Sequence, residues 1–129
     1  MKHILVPTDG SEPSYRALAL AAQLAESLGV ELSILAVRQA VVEAWEEDEL
    51  SDILKKSKEI ADAQYRKGAA IAEMIARDVA QAILGYAGQN AVDLIVMGAS
   101  GKGGVKAFLI GSVSKEVLRK SICPVTIVH

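Results

Sequence analysis

Residues 92–128, VDLIVMGASGKGGVKAFLIGSVSKEVLRKSICPVTIV, decide the fold. VDLIVMG (92–98) is a continuous apolar run, as expected of a strand buried on both faces. Gly98 opens a glycine-rich stretch, and Ser112 to Lys120 has the spacing of a short helix. PVTIV (124–128) is a last apolar strand. A buried strand, a crossover through a helix and another buried strand form a unit of a parallel sheet.

The rest of the chain repeats this order. HILVPT (3–8) is a short apolar run that breaks at Pro7 and Asp9-Gly10-Ser11, a strand entering a turn. In SEPSYRALALAAQLAESLG, Ala17, Leu18, Ala21, Leu24, Ala25 and Leu28 recur at helical spacing. Ser11 suits the N-cap, Pro13 the first turn and Gly29 the C-terminus. A second strand is expected over 30–37, then a loop and a long helix ending near Lys67-Gly68, with Leu50, Ile53, Leu54, Ile60 and Ala61 as its buried stripe. AAIAEMI (69–75) is expected as the third strand. Asp78 then caps a helix with Val79, Ala82, Ile83 and Tyr86 on one face. The alternation β-α-β-α-β-α-β-α-β predicts an α/β fold, a parallel sheet with helices on both faces.

Composition sets outer bounds. At 129 residues the chain suits one domain, 1–129, and 51% hydrophobic with 23% charged residues indicates a globular protein. Only 4% is aromatic, so Ala, Val, Leu and Ile must fill the core. The net charge of -2 gives no global field for nucleic acid, yet residues 98–129 carry five basic groups against Glu116 alone. One cysteine allows no intrachain disulfide, MKHILVPTDG lacks the pattern of a secretory leader, and no run reaches a membrane span. These features predict a cytoplasmic protein with no membrane and no nucleic-acid partner.

In an open parallel sheet, ligands bind beyond the carboxyl ends of the strands, where strand order reverses. Two loops qualify, Pro7-Thr8-Asp9-Gly10-Ser11 and the stretch after Gly98. Glycines there let backbone N–H groups approach an anion, and Gly111-Ser112 opens a helix whose first amides and dipole favour phosphate. Ser112 and Ser114 add hydroxyls, with Lys102 and Lys106 nearby. Neither a P-loop nor a GxGxxG fingerprint is present. On composition alone, a ligand loop and a plain connector both remain open.

Gly98-x2-Gly101-x9-Gly111-Ser112 resembles the nucleotide-binding motif of the universal stress protein family. ILVPTDGSEPSYRAL, DLIVMG, GSV and CPVTIV fit that family too, so the similarity spans nearly the whole chain and is weakest between Arg38 and Gly68. The resemblance implies a five-stranded parallel sheet in the order 3-2-1-4-5, of the adenine nucleotide alpha hydrolase-like, Rossmann-like type. It implies ATP or another adenine nucleotide as ligand. Pro7, Thr8 and Asp9 would line the adenosine end, and Val37 would contact adenine. Gly98, Gly101, Gly111, Ser112, Val113 and Ser114 would hold ribose and phosphates, and Met97 and Ser100 would belong to the same binding set. Asp9 would help position Mg²⁺ as a hard oxygen ligand. A homodimer pairing strand 124–128 across a two-fold axis is also implied.

Two positions depart from the family pattern. Arg77-Asp78-Val79 stands where relatives often have Gly-x-Pro, and Ser100 where many have His or Arg. Arg77 either closes the pocket or adds a ligand contact. Neither His3 nor His129 adjoins the glycine loop in sequence, so no nucleophile-base-acid set emerges and at most slow hydrolysis is expected. Cys123 is expected to be a packing residue. The resemblance implies an ATP-binding, nucleotide-responsive regulator, and two rivals stand beside it: a dimeric interaction module that binds no nucleotide, and a true nucleotide hydrolase. The hydrolases use an SGGxDS-type loop that TDGSEPS does not supply.

Overall fold

Each apolar run forms a strand of one parallel sheet with the order β3-β2-β1-β4-β5. The computed structural model describes residues 1–39, 47–99 and 110–129, and the side chains of 47 and 48 fall outside that description. The elements are β1 (His3–Thr8), α1 (Glu12–Leu28), β2 (Glu31–Gln39), α2 (Glu47–Gln64) and β3 (Ala70–Ala76). They continue as α3 (Val79–Gln89), β4 (Leu94–Gly98), α4 (Ser112–Lys120) and β5 (Val125–Val128).

Strand alternation splits the core in two. Ile4, Val6, Leu32, Ile34, Leu94 and Val96 point to the face covered by α1 and α2. Leu5, Leu35, Val37, Ile95 and Met97 point to the face covered by α3 and α4. Both sides of the three central strands are therefore apolar, and the strands appear as unbroken hydrophobic runs. The first helix needs small residues, and Ala17, Ala21, Ala22 and Ala25 let it sit close to the sheet. Ser11 caps it by accepting from the Ser14 N–H, and Gly29 closes it in the left-handed conformation at φ 67°.

Several boundaries differ from the sequence expectation, each for a tertiary reason. β2 runs on to Gln39 because β3 offers partners as far as Gln39↔Ala76. α2 stops at Gln64, short of Gly68, because Tyr65 turns in and its hydroxyl donates to the Val30 carbonyl at 2.9 Å. The buried face of α3 is centred on Ala80, Ile83 and Ala87. Val79, Ala82 and Tyr86 flank it as partly buried residues. The loop expected between the second strand and the long helix falls largely on residues 40–46, which lie outside the described residues.

At the amino end of the sheet, His3 gains partners that its sequence neighbourhood does not suggest. Its Nδ1–H donates to the Asn90 carbonyl at 2.9 Å, and its Nε2 is hydrogen-bonded to the Ser33 hydroxyl at 2.7 Å. The Asp93 carboxylate accepts the backbone N–H groups of Lys2 (2.6 Å) and His3 (2.9 Å). The Lys2 bond foremost, then the His3 bond, the N-terminal ammonium and the His3 ring, hold the Asp93 carboxyl below its ordinary value against a smaller desolvation effect. A lowered carboxyl contributes stability above its unfolded value and loses it as pH falls through the folded value. Urea denaturation of Asp93→Asn is therefore expected to show a shallower loss of stability below about pH 4 than wild type. Identical acid limbs would remove Asp93 from the account.

Candidate functional site

The central position of β1 creates the site. β2 lies on one side of β1 and β4 on the other. The chain leaves β1 towards α1 on one face, whereas it leaves β4 towards α4 on the opposite face. The helices that follow β1 and β4 therefore lie on opposite faces, which makes the carboxyl ends of these two strands the reversal point where an open parallel sheet places a ligand crevice.

The β1–α1 side of the crevice is bonded to itself. Thr8 is buried, and its hydroxyl lies 3.0 Å from Ser14 Oγ while accepting the Gly10 N–H at 3.3 Å. Ser14 Oγ donates to the Ser11 carbonyl at 2.7 Å, so Thr8 supplies the proton between the two hydroxyls. Asp9 Oδ1 accepts the Ser11 N–H at 2.9 Å, an Asx turn. Pro13 carries no N–H, and the Ser14 amide goes to Ser11 Oγ. These bonds spend the Thr8 hydroxyl and the Gly10, Ser11 and Ser14 amides within the loop. Gly10 sits at φ 83°, and a Cβ there would lie 2.7 Å from two carbons of Ile53. The loop thus fits under α2 only as glycine. Beside it, burial first, then the carboxylates of Glu12, Asp9 and Asp52, push the Tyr15 hydroxyl above its ordinary value, so it stays protonated.

The β4–α4 side is the reverse. Gly111 is the N-cap of α4 and has no side chain to bond the first turn. The first intrahelical backbone bond is Lys115 N–H to the Gly111 carbonyl. The amides of Ser112, Val113 and Ser114 therefore have no partner within the helix and point out of its end. Gly111 is fixed in place by its own N–H, which donates to the Ala99 carbonyl, while Ala99 N–H donates to Val128 at 2.8 Å. Two helix ends meet at this crevice, and one of them is uncapped.

The sequence-derived candidates occupy distinct positions around it. Pro7 follows the alternation of Leu5 and, like Val37 and Met97, lies on the α3/α4 face of the sheet. Thr8 and Asp9 form the opposite wall through the bonds above. Gly98 ends β4 with open space denied to any side chain, since a Cβ would lie 2.8 Å from Pro13 C and from Ser14 N. Ser112 is exposed and Val113 half-buried. Ser114 is buried, and its hydroxyl donates to the Gly98 carbonyl at 2.8 Å, which leaves its amide as the group facing outward. Ser100, Gly101, Lys102 and Lys106 lie outside the described residues.

The basic balance near the carboxyl end is partly spent elsewhere. Arg119 and Lys120 both pair with Glu116 at 3.0 Å, at the end of α4 remote from its open amides. Arg77 is exposed on the turn between β3 and α3, at the edge of the sheet. His129, distant from the glycine loop in sequence, follows the Val128 partner of Gly98, and its carbonyl accepts from Arg16 Nε at 2.7 Å. Cys123 packs against the second core cluster, as expected, with Sγ 3.5 Å from Ser121 Oγ. Sequence reasoning missed Arg38, a cation at the end of the apolar run ILAV. Its half-buried side chain reaches Glu73 at 3.5 Å.

A 3-2-1-4-5 parallel sheet with a crevice at its reversal point defines an open, Rossmann-like α/β protein. The family model for the universal stress protein family matches residues 1–129. The chain is similar to universal stress protein YxiE of Bacillus subtilis, 36% identical over 98% of this chain and 97% of that one. It is similar to a universal stress protein of Methanocaldococcus jannaschii, 33% identical over 98% of this chain and 81% of that one. Among solved structures it resembles a universal stress protein in complex with cAMP, at 28% identity and a TM-score of 0.75, over 99% of this chain and 97% of that one. The chain belongs to the universal stress protein family.

Proposed function

We propose that this protein binds ATP, or another adenine nucleotide, in the crevice and works as a nucleotide-responsive regulator in the cytoplasm, with 1–129 acting as one domain. The observation that carries the reading is the open amino end of α4: three amides and a helix dipole face the reversal point with no side-chain cap. The related structure holding cAMP supports an adenine nucleotide as the ligand class. The phosphates lie against Ser112, Val113 and Ser114 amides, and the adenosine end crosses β1 towards Pro7, Val37 and Met97. Gly98, Ser100 and Gly101 complete the proposed set, with Asp9 at the phosphates.

Mg²⁺ suits that arrangement. Asp9 uses Oδ1 in the Asx turn and keeps Oδ2 for a hard cation, whose other oxygens would come from phosphate and water. Among the described residues no group of three or more His, Cys, Asp or Glu side chains converges, so Asp9 alone would not hold the ion. When bound, the ion would neutralise phosphate charge. Turnover is at most slow, since Asp9 is held in its turn and His3 is bonded at the far end of the sheet. No helix among the described residues is long and apolar enough to cross a membrane.

Among the described residues β5 has a partner on one side only, and Ile122 just before it is 100% exposed. An open strand edge beside an exposed apolar side chain favours pairing with a second copy. This observation also supports a second reading, a dimeric interaction module that takes no nucleotide. Native mass spectrometry of freshly purified protein reads both features. The expected species is a dimer carrying adenine nucleotide; an empty dimer that calorimetry also finds inert to ATP, AMP and cAMP would leave only the second reading.

A further inference from the structure

Arg38 is the penultimate residue of β2, two residues past the Thr8↔Ala36 pair that closes the β1–β2 ladder. Its neighbour Val37 joins the α3/α4 core, so Arg38 projects to the other face of the strand. Its side chain is only 21% exposed, and Nε is buried with no acceptor among the described residues. Among the described residues the guanidinium is held by one contact, Nη1 to Glu73 Oε1, at the 3.5 Å limit of a hydrogen bond. A buried N–H with no acceptor is costly, and a planar guanidinium fixed on one side presents its remaining donors in a fixed direction.

The sheet gives that donor a place along the ligand. From β2 across β1 to β4 is two strand spacings, about 10 Å. If the phosphates rest on the end of α4 beyond β4, ribose crosses β1 and the base arrives at the end of β2. There it meets Val37 on one side and Arg38 on the other. Adenine offers unprotonated ring nitrogens, which accept hydrogen bonds, whereas a phosphate bound two strands away does not reach this donor.

We propose that Arg38 reads the base of the bound nucleotide, a guanidinium N–H left free by the Glu73 contact donating to a ring nitrogen of adenine, with Glu73 holding the guanidinium in position. This assignment rests on the nucleotide reading above and adds a specificity-determining residue to it. The bond is directional, so charge alone does not replace it.

Calorimetry with ATP and with inorganic tripolyphosphate, which lacks a base, tests the assignment on folded wild type, Arg38→Met and Arg38→Lys. Both variants are expected to bind ATP about tenfold more weakly or worse, the scale of one hydrogen bond from a charged donor. Tripolyphosphate affinity is expected to stay unchanged in Arg38→Met. Equal ATP binding by Arg38→Met, or full rescue by Arg38→Lys, overturns the base-reading role. Equal losses for ATP and tripolyphosphate overturn it as well, since Arg38 would then serve the phosphates. Wild type that binds neither ligand overturns the nucleotide reading itself and this assignment with it.

Discussion

Gly98→Val is expected to destabilise the protein by about 3 kcal/mol or more, the upper end for forcing atoms into a packed site. A Cβ at Gly98 would lie 2.8 Å from Pro13 C, 2.8 Å from Ser14 N and 2.9 Å from Pro13 Cβ. Two of those three atoms are backbone, and the backbone there cannot easily yield. Ser14 is fixed by bonds to Ser11 and Thr8, and Pro13 stiffens the first turn of α1. The same approach explains why α1 can lean across the end of β4. Gly98→Ala should lose less than Gly98→Val but still move the urea midpoint down. A wild-type midpoint in Gly98→Val would mean that α1 shifts freely and the contact is unimportant. Either variant would lose ligand along with structure, so neither isolates a phosphate contact.

That result separates what the sequence carries from what only packing decides. The alternation of elements was legible because VDLIVMG, HILVPT and ELSILAV are apolar on both faces, which only a sheet covered twice requires. Ser11, Pro13, Gly29 and Asp78 were legible as helix punctuation because caps act within four residues. Gly98 and Gly111 belong to one motif in sequence, yet they answer to different constraints. Gly98 is hemmed in by the backbone of α1, more than eighty residues earlier in the chain, whereas Gly111 is at a helix cap. Nothing local distinguishes them. Ser114 presents the same difficulty: it looks like a free hydroxyl on a first turn, but it reaches back to the Gly98 carbonyl. The pairing of Arg119 and Lys120 with Glu116 was available from helical spacing, and it discounts the apparent basic patch. Arg38 was hidden because its meaning depends on β2 lying two strands from β4, a fact of topology.

Gly111→Val is expected to weaken nucleotide binding about 100-fold or more, equivalent to losing one or two charge-assisted hydrogen bonds, while the protein stays folded. Gly111 has φ -69° and ψ 165°, a conformation open to any residue, so no strain follows from the backbone. Its N–H to Ala99 and its carbonyl to Lys115 survive the substitution. The added branches instead stand beside the open amides of Ser112, Val113 and Ser114 and hold a phosphate off them. Gly111→Ser sharpens the test, because a serine N-cap can itself accept from the second or third amide of the helix. Capping should raise stability by a few tenths of a kcal/mol relative to glycine. It should also withdraw an amide from the ligand, so stability and affinity move in opposite directions. Thermal melts and calorimetry on the same two variants read both quantities. If Gly111→Ser gains stability yet binds ATP as wild type does, the anion does not rest on the end of α4. Opposed shifts, with the fold intact, would tie the phosphates to these amides in a way that neither a damaged core nor a displaced α1 could imitate.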